Sequence, residues 1–79
     1  MFYVYLIQSI NYPEQRYVGH TSDLKKRIND HNSGFSFHTN KYKPWKIKNC
    51  FAFDDEQKAE KFESYLKSKS GREFIKRHF

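Results

Sequence analysis

The chain has 79 residues, which suffices for one compact domain, so we expect residues 1–79 to form a single domain. Its one cysteine, Cys50, excludes an internal disulfide, and the start of the sequence lacks a hydrophobic leader, which together favour the cytoplasm. The longest apolar run, Phe2 to Ile7, is far shorter than the roughly 20 residues that span a bilayer, so we expect no membrane helix. Fifteen lysines and arginines against nine acidic residues give a formal charge of +6, which makes nucleic acid the leading partner class.

Two strands are predicted at the start of the chain. The stretch Phe2–Gln8 is rich in β-branched and aromatic residues and is typical of a strand covered on both faces. Turn residues Asn11 and Pro13 follow, and a strand pattern resumes at residues 15–20. We therefore predict an antiparallel hairpin.

A helix is predicted next, with Thr21 or Ser22 as its N-cap and Asp23 in its first turn, where a negative charge is favourable. It should extend to about His31 before Gly34 stops it.

Residues 35–44 are polar and aromatic with little periodicity, which predicts a loop or a short helical turn. The following stretch, residues 45–53, alternates and predicts a third strand with Trp45, Ile47, Asn49, Phe51 and Phe53 at one parity.

Two helices are predicted at the end of the chain. Asp54 and Gln57 form a capping-box pattern for a helix that should extend to about Lys69. Ser70 and Glu73 repeat the pattern for a short helix that reaches the C-terminus. The sequence thus predicts an α+β fold, in which a small three-stranded antiparallel sheet in β-β-α-β-α-α order is flanked by helices.

Three polar side chains fall on faces where packing alone would favour apolar residues. At 100° per residue, Arg27 and His31 lie on or beside the inward stripe of the first helix. In the later helix, Glu63 lies about 40° from Ala59, inside the apolar sector. A glutamate there requires a partner or a metal ion, because an unpaired buried carboxylate costs several kcal/mol. A purely structural Arg27–Glu63 ion pair is the alternative interpretation.

In the predicted hairpin, Tyr5 pairs with either Tyr17 or Gly19, and both registers place the two tyrosines on a common face. Gly19 leaves bare backbone at which a ligand or another chain can approach closely. Taken alone, each tyrosine is better explained as a core residue with its hydroxyl at the rim.

Read together, these residues resemble the GIY-YIG nuclease family over nearly the whole chain. The two family triplets correspond to Tyr3-Val4-Tyr5 and Tyr17-Val18-Gly19, and the opening one lacks its usual glycine. This form is similar to small stand-alone members related to the N-terminal nuclease domain of the bacterial excision-repair endonuclease. The helix from Asp23 to Asn32 resembles the family's arginine and histidine helix, and the segment around Glu63 resembles the one that carries its metal-binding glutamate.

The resemblance implies a catalytic set of Tyr5, Tyr17, Arg27, His31 and Glu63. Glu63 is the implied ligand of one divalent ion, Mg²⁺ or Mn²⁺, and Glu60 is its competitor. Tyr5 is the preferred group for deprotonating the attacking water, with Tyr17 beside it, while Arg27 clamps the phosphate and His31 orients groups or transfers a proton. We find no counterpart of the late asparagine that some larger members use.

We expect these groups to cut DNA in a structure-selective manner linked to repair or recombination, and RNA is the alternative nucleic-acid partner. The expected nucleic-acid contacts are Gly19, His38, Lys41, Lys43, Trp45, Lys67, Arg72, Lys76 and Arg77, with Tyr42 or Trp45 stacking on a base. The alternatives are a weak or inactive binding module, or an adaptor in a repair complex in which a protein partner supplies specificity.

Overall fold

In the computed structural model, which describes residues 1–79, three strands and three helices follow one another in the predicted order. The elements are β1 (Phe2–Ser9), β2 (Arg16–Thr21), α1 (Leu24–Ser33), a short 3₁₀ turn (Asn40–Tyr42), β3 (Trp45–Phe53), α2 (Glu56–Lys67) and α3 (Lys69–His78). The sheet order is β2-β1-β3, and both pairs are antiparallel. The predicted α+β fold is thus confirmed. None of the helices combines the length and apolar character that crossing a membrane requires.

Strand β1 lies at the centre of the sheet and is covered on both faces, as the sequence predicts. Val4 and Leu6 belong to the core that α2 and α3 cover, while Tyr5 and Ile7 belong to a second core beside α1. All four side chains are buried. Alternate residues of one strand therefore supply two separate cores.

Contrary to what their spacing predicts, the alternating apolar residues of β3 do not all lie on one face of the sheet. A bulge opposite Leu6 and Ile7 shifts the pairing by one residue, so Leu6 pairs with Asn49 while Ile7 pairs with Ile47. A one-residue shift turns every later side chain to the other face. As a result, Trp45 joins the core beside α1, whereas Phe51 packs in the core under α2 and α3.

Helix α1 begins one or two residues later than predicted. Asp23, not Thr21 or Ser22, is the N-cap, and its carboxylate accepts a hydrogen bond from the backbone N–H of Lys26. Gly34 ends the helix in the left-handed conformation at φ 88°, as expected for a glycine after a helix.

The caps of the last two helices also differ from the predicted ones. Asp55 rather than Asp54 caps α2, and Ser68 rather than Ser70 caps α3. Because Ser68 accepts from a backbone N–H of the following helix, α2 ends at Lys67 and not at Lys69.

Candidate active site

The register of the hairpin brings the two predicted tyrosines onto one face of the sheet. Tyr5 pairs with Gly19, and Ile7 pairs with Tyr17, so the two rings lie diagonally across adjacent strands. Tyr5 is only 1% exposed, whereas Tyr17 is half-buried at the edge strand β2. Of the two phenols, Tyr17 is the one within reach of solvent.

Gly19 is required by the packing of Tyr5. A Cβ at this position would overlap the Tyr5 hydroxyl and lie 2.7 Å from Tyr5 Cζ. The bare backbone of Gly19 is therefore covered from within the chain.

A buried chain of hydrogen bonds starts at the Tyr5 hydroxyl. Tyr5 Oη lies 2.9 Å from His31 Nε2, and His31 Nδ1 lies 2.6 Å from the hydroxyl of Thr39. The Thr39 hydroxyl donates to the carbonyl of Ser36 at 3.4 Å, so it accepts from His31 Nδ1–H. This assigns the imidazole tautomer: Nε2 carries no proton and accepts a hydrogen bond from Tyr5.

Burial sets the protonation states of this pair. It lowers the pKa of His31 from 6.5 to about 4, and the nearby charge of Arg27 acts in the same direction. Burial also raises the pKa of Tyr5, although its interaction with Arg27 opposes the change. At neutral pH the site therefore holds a neutral imidazole and a protonated Tyr5 phenol.

Arg27 lies one turn before His31 on α1, on the side that faces the sheet, as the helical spacing predicts. It is partly buried, which alone would lower the pKa of its guanidinium, but its interaction with the Tyr5 hydroxyl outweighs this effect and raises the pKa. The guanidinium thus lies beside the Tyr5 phenol. The alternative of an ion pair with Glu63 does not form, because Glu63 has other partners.

Glu63 reaches the site from α2, the helix that covers the opposite face of the sheet. Its carboxylate accepts from His20 Nδ1 at 2.6 Å and from Lys67 Nζ at 3.0 Å. Its side chain is 16% exposed. Burial alone would raise the pKa of Glu63, but the hydrogen bonds from Lys67 and His20 outweigh it and lower the pKa. The carboxylate is therefore ionised at neutral pH.

Lys67 connects this carboxylate to the tyrosine face. Besides its contact with Glu63, its ammonium lies 5.5 Å from the centre of the Tyr17 ring, within cation–π range. The groups predicted to converge thus form two neighbouring sets. Tyr5, Tyr17, Arg27 and His31 lie together, and Glu63 adjoins them through Lys67.

A second set of metal-ligating groups lies beside Glu63. Each of three residues offers one possible ligand atom, and the three atoms lie within 4.8 Å of one another: His20, Glu56 and Glu60. Both glutamates are exposed. Glu60 therefore remains a competitor for Glu63 as a metal ligand.

One residue predicted to contact nucleic acid, Trp45, is buried in the core. Trp45 is 4% exposed, and its indole N–H donates to the carbonyl of Thr39 at 2.8 Å, so it is not available to stack on a base. Tyr42 is half-buried against Tyr12. The remaining predicted side-chain contacts are all exposed: His38, Lys41, Lys43, Lys67, Arg72, Lys76 and Arg77.

Two residues with clear roles in the geometry are absent from the predicted site. Thr39 orients His31 from a loop without periodicity, so no local pattern points to it. His20 binds Glu63, which is 43 residues away along the chain. The local sequence marks His20 only by its position directly after Gly19.

Fold and site together define a small α+β domain of the nuclease type, with a tyrosine, histidine and arginine face beside an ionised glutamate. The family model described as the GIY-YIG catalytic domain matches residues 1–77. The chain therefore belongs to the GIY-YIG nuclease superfamily, whose members generally depend on a divalent metal ion. A search of curated proteins finds no match to this sequence.

Proposed function

We propose that this protein is a metal-dependent endonuclease that hydrolyses DNA phosphodiester bonds, acting as a single catalytic domain in the cytoplasm. The observation that carries the proposal is the buried chain from Tyr5 through His31 to Thr39, with Arg27 beside it. In this chain, an unprotonated nitrogen of His31 faces the hydroxyl of Tyr5, and the guanidinium of Arg27 lies beside the same hydroxyl. A core that serves only stability does not require this arrangement. A hydrolytic site uses both groups, the imidazole to orient the phenol and the guanidinium to stabilise negative charge.

The two phenols divide the work of activating water. Tyr17 is half-buried and within reach of solvent, so it is the phenol that contacts the attacking water. Tyr5 is buried and protonated, so it acts behind Tyr17, and its hydrogen bond with His31 Nε2 fixes the direction of its hydroxyl. The family resemblance implies instead that Tyr5 contacts the attacking water. The burial of Tyr5 supports the assignment of that role to Tyr17.

Arg27 neutralises the phosphate. Its planar fork of donors suits two phosphate oxygens, and it stays charged throughout the reaction. Because its guanidinium lies beside the Tyr5 phenol, on the face of the sheet that also carries Tyr17, a phosphate bound there lies near the groups that activate water.

The residues present fit a divalent ion at Glu63. Its carboxylate is ionised and already attracts a cation, the ammonium of Lys67. Carboxylate oxygens, water and phosphate are the ligands that Mg²⁺ and Mn²⁺ prefer. When bound, such an ion supplies Lewis-acid stabilisation of charge on the phosphate and the leaving oxygen.

The basic surface around the site supports the proposal that the protein does not select DNA by its sequence. Its exposed lysines and arginines contact phosphates, which positions a protein on DNA without reading base edges. This behaviour suits repair or recombination, with a protein partner adding any further specificity.

The test is cleavage of labelled single-stranded, duplex, flap and branched DNA with Mg²⁺, Mn²⁺ or a chelator. We expect metal-dependent cutting that is fastest on flap or branched DNA, and a loss of about 100-fold or more in Arg27→Ala. Lys25→Ala, which removes an equal charge from an exposed position of α1, is the matched control and should cut normally. Binding without cutting in every metal, or full activity of Arg27→Ala, would overturn the proposal.

A further inference from the structure

A cleft lies next to the proposed site, where the hairpin meets the last two helices. One wall is formed by residues 14–18, at the end of the hairpin turn and in β2. The other wall is formed by the C-terminal end of α2 and by α3. Its volume is about 480 Å³, within the range of about 300–1,000 Å³ that is usual for pockets that bind small molecules.

The rim of the cleft is strongly basic. Four cationic side chains line it, from Arg16, Lys67, Arg72 and Lys76, against one acidic residue, Glu14. All four cations are exposed; Lys67 also pairs with Glu63, and Arg16 donates to the backbone carbonyl of Phe79 at 3.3 Å, which leaves Arg72 and Lys76 with no protein partner for their charges. Such a concentration of positive charge favours a phosphate group.

The floor of the cleft is apolar. Leu6, Val18, Leu66 and Ile75 line it and belong to the core under the two helices. Tyr17 completes the lining, at the edge of the proposed catalytic face. A phosphate alone would make no use of this floor, whereas the flat face of a base would cover it.

Lys67 places the cleft beside the catalytic groups. It lines the cleft, its ammonium contacts the carboxylate of Glu63, and the same ammonium lies over the Tyr17 ring. A ligand that binds its phosphate at Lys67 therefore lies against the proposed site.

We infer that this cleft binds one unstacked nucleotide, with the base on the apolar floor and the phosphate on the basic rim. Binding itself does not depend on the proposed function. The further statement that the nucleotide belongs to the DNA strand being cut rests on that function. Because a paired and stacked base cannot enter, the cleft selects DNA that has an unpaired nucleotide next to the bond to be cut.

Binding is tested by titration calorimetry and NMR shift mapping in the presence of a chelator, so that no result depends on catalysis. The probes are thymidine 5′-monophosphate, deoxyribose 5-phosphate, inorganic phosphate and a short oligothymidylate. We expect the nucleotide to bind about tenfold more tightly than deoxyribose 5-phosphate, because only the nucleotide covers the floor. The shifts should map to Val18, Leu66 and Ile75.

Two variants of equal charge change locate the binding. Arg72→Glu reverses a charge on the rim and should weaken nucleotide binding at least tenfold. Lys61→Glu makes the same change at an exposed position of α2 outside the cleft and should leave it unaltered. Both positions are exposed, so neither change should prevent folding.

The oligothymidylate identifies the source of the nucleotide. It should displace the mononucleotide, whereas failure to do so would show that the cleft accepts only free nucleotides and would overturn the inference. Equal affinity for inorganic phosphate and the nucleotide, or an unchanged Arg72→Glu variant, would overturn it as well. If the nucleotide binds as predicted and no DNA is cut, the proposed function fails and the nucleotide site stands. If DNA is cut and no nucleotide binds, only the cleft assignment fails.

Discussion

The burial of His31 predicts a specific loss of stability in mild acid. In the folded chain its pKa is about 4, against 6.5 for an ordinary histidine. At pH 7 both the folded and the unfolded chain carry a neutral imidazole, so this group contributes no pH dependence there. Between these two pKa values the unfolded chain binds a proton that the folded chain does not. The free energy of unfolding therefore falls as the pH drops from 6.5 towards 4.

The size of this effect follows from the two pKa values. Each pKa unit corresponds to about 1.4 kcal/mol, so the full difference amounts to about 3 kcal/mol. At pH 5 the unfolded form is protonated and the folded form is still neutral, which gives a loss of about 2 kcal/mol. Measuring at pH 5 also limits interference from Glu63, whose pKa lies below 4.5.

The assay is urea denaturation of the wild type and of His31→Gln at pH 7.5 and pH 5. We expect the wild type to lose about 2 kcal/mol more than the variant between these conditions. An NMR titration of the His31 ring in the folded wild type gives the pKa directly and does not depend on the variant folding. Equal losses in both proteins, or a His31 pKa near 6.5, would refute the reasoning.

Substitutions at two further positions, Thr39 and Gly19, test how the site is built. Thr39→Val removes the acceptor of His31 Nδ1–H and leaves a buried donor without a partner, so the free energy of unfolding should fall by about 1–3 kcal/mol. Thr39→Ser keeps the hydroxyl and should lose less, and equal losses in the two variants would argue against this bond. Gly19→Ala places a Cβ against the Tyr5 hydroxyl, so we expect a lower melting temperature and a loss of about 1–3 kcal/mol. If that variant melts like the wild type, the packing of Tyr5 on Gly19 is described incorrectly.

Much of the fold could be predicted because the local signals agree with the tertiary structure. The alternation of β1 and the spacing of Arg27 and His31 on α1 depend only on the periods of a strand and a helix. The inward position of Glu63 follows from the same reasoning. The hairpin register needed the structure, since pairing of Tyr5 with Tyr17 or with Gly19 satisfies the same alternation.

The parts that escaped prediction depend on contacts that are distant along the chain or on choices between neighbours. Asp23 and Ser22 are both good helix caps, so residue type does not decide between them. The bulge in β3 turns Trp45 away from the face of Phe51 and into the core beside α1, which the alternating pattern alone does not reveal. The bond between His31 and Thr39 joins a helix to a loop that has no periodicity.

The most direct test of the proposed nuclease is the single-turnover cleavage rate of Glu63→Gln under saturating Mg²⁺ or Mn²⁺. Glutamine keeps the shape of the side chain but removes the charge that an ion requires, so the rate should fall about 100-fold or more. DNA affinity, measured by fluorescence anisotropy, should change little, and Glu60→Gln on the same helix should retain most activity. A Glu63→Gln variant that cuts DNA as fast as the wild type would contradict the account.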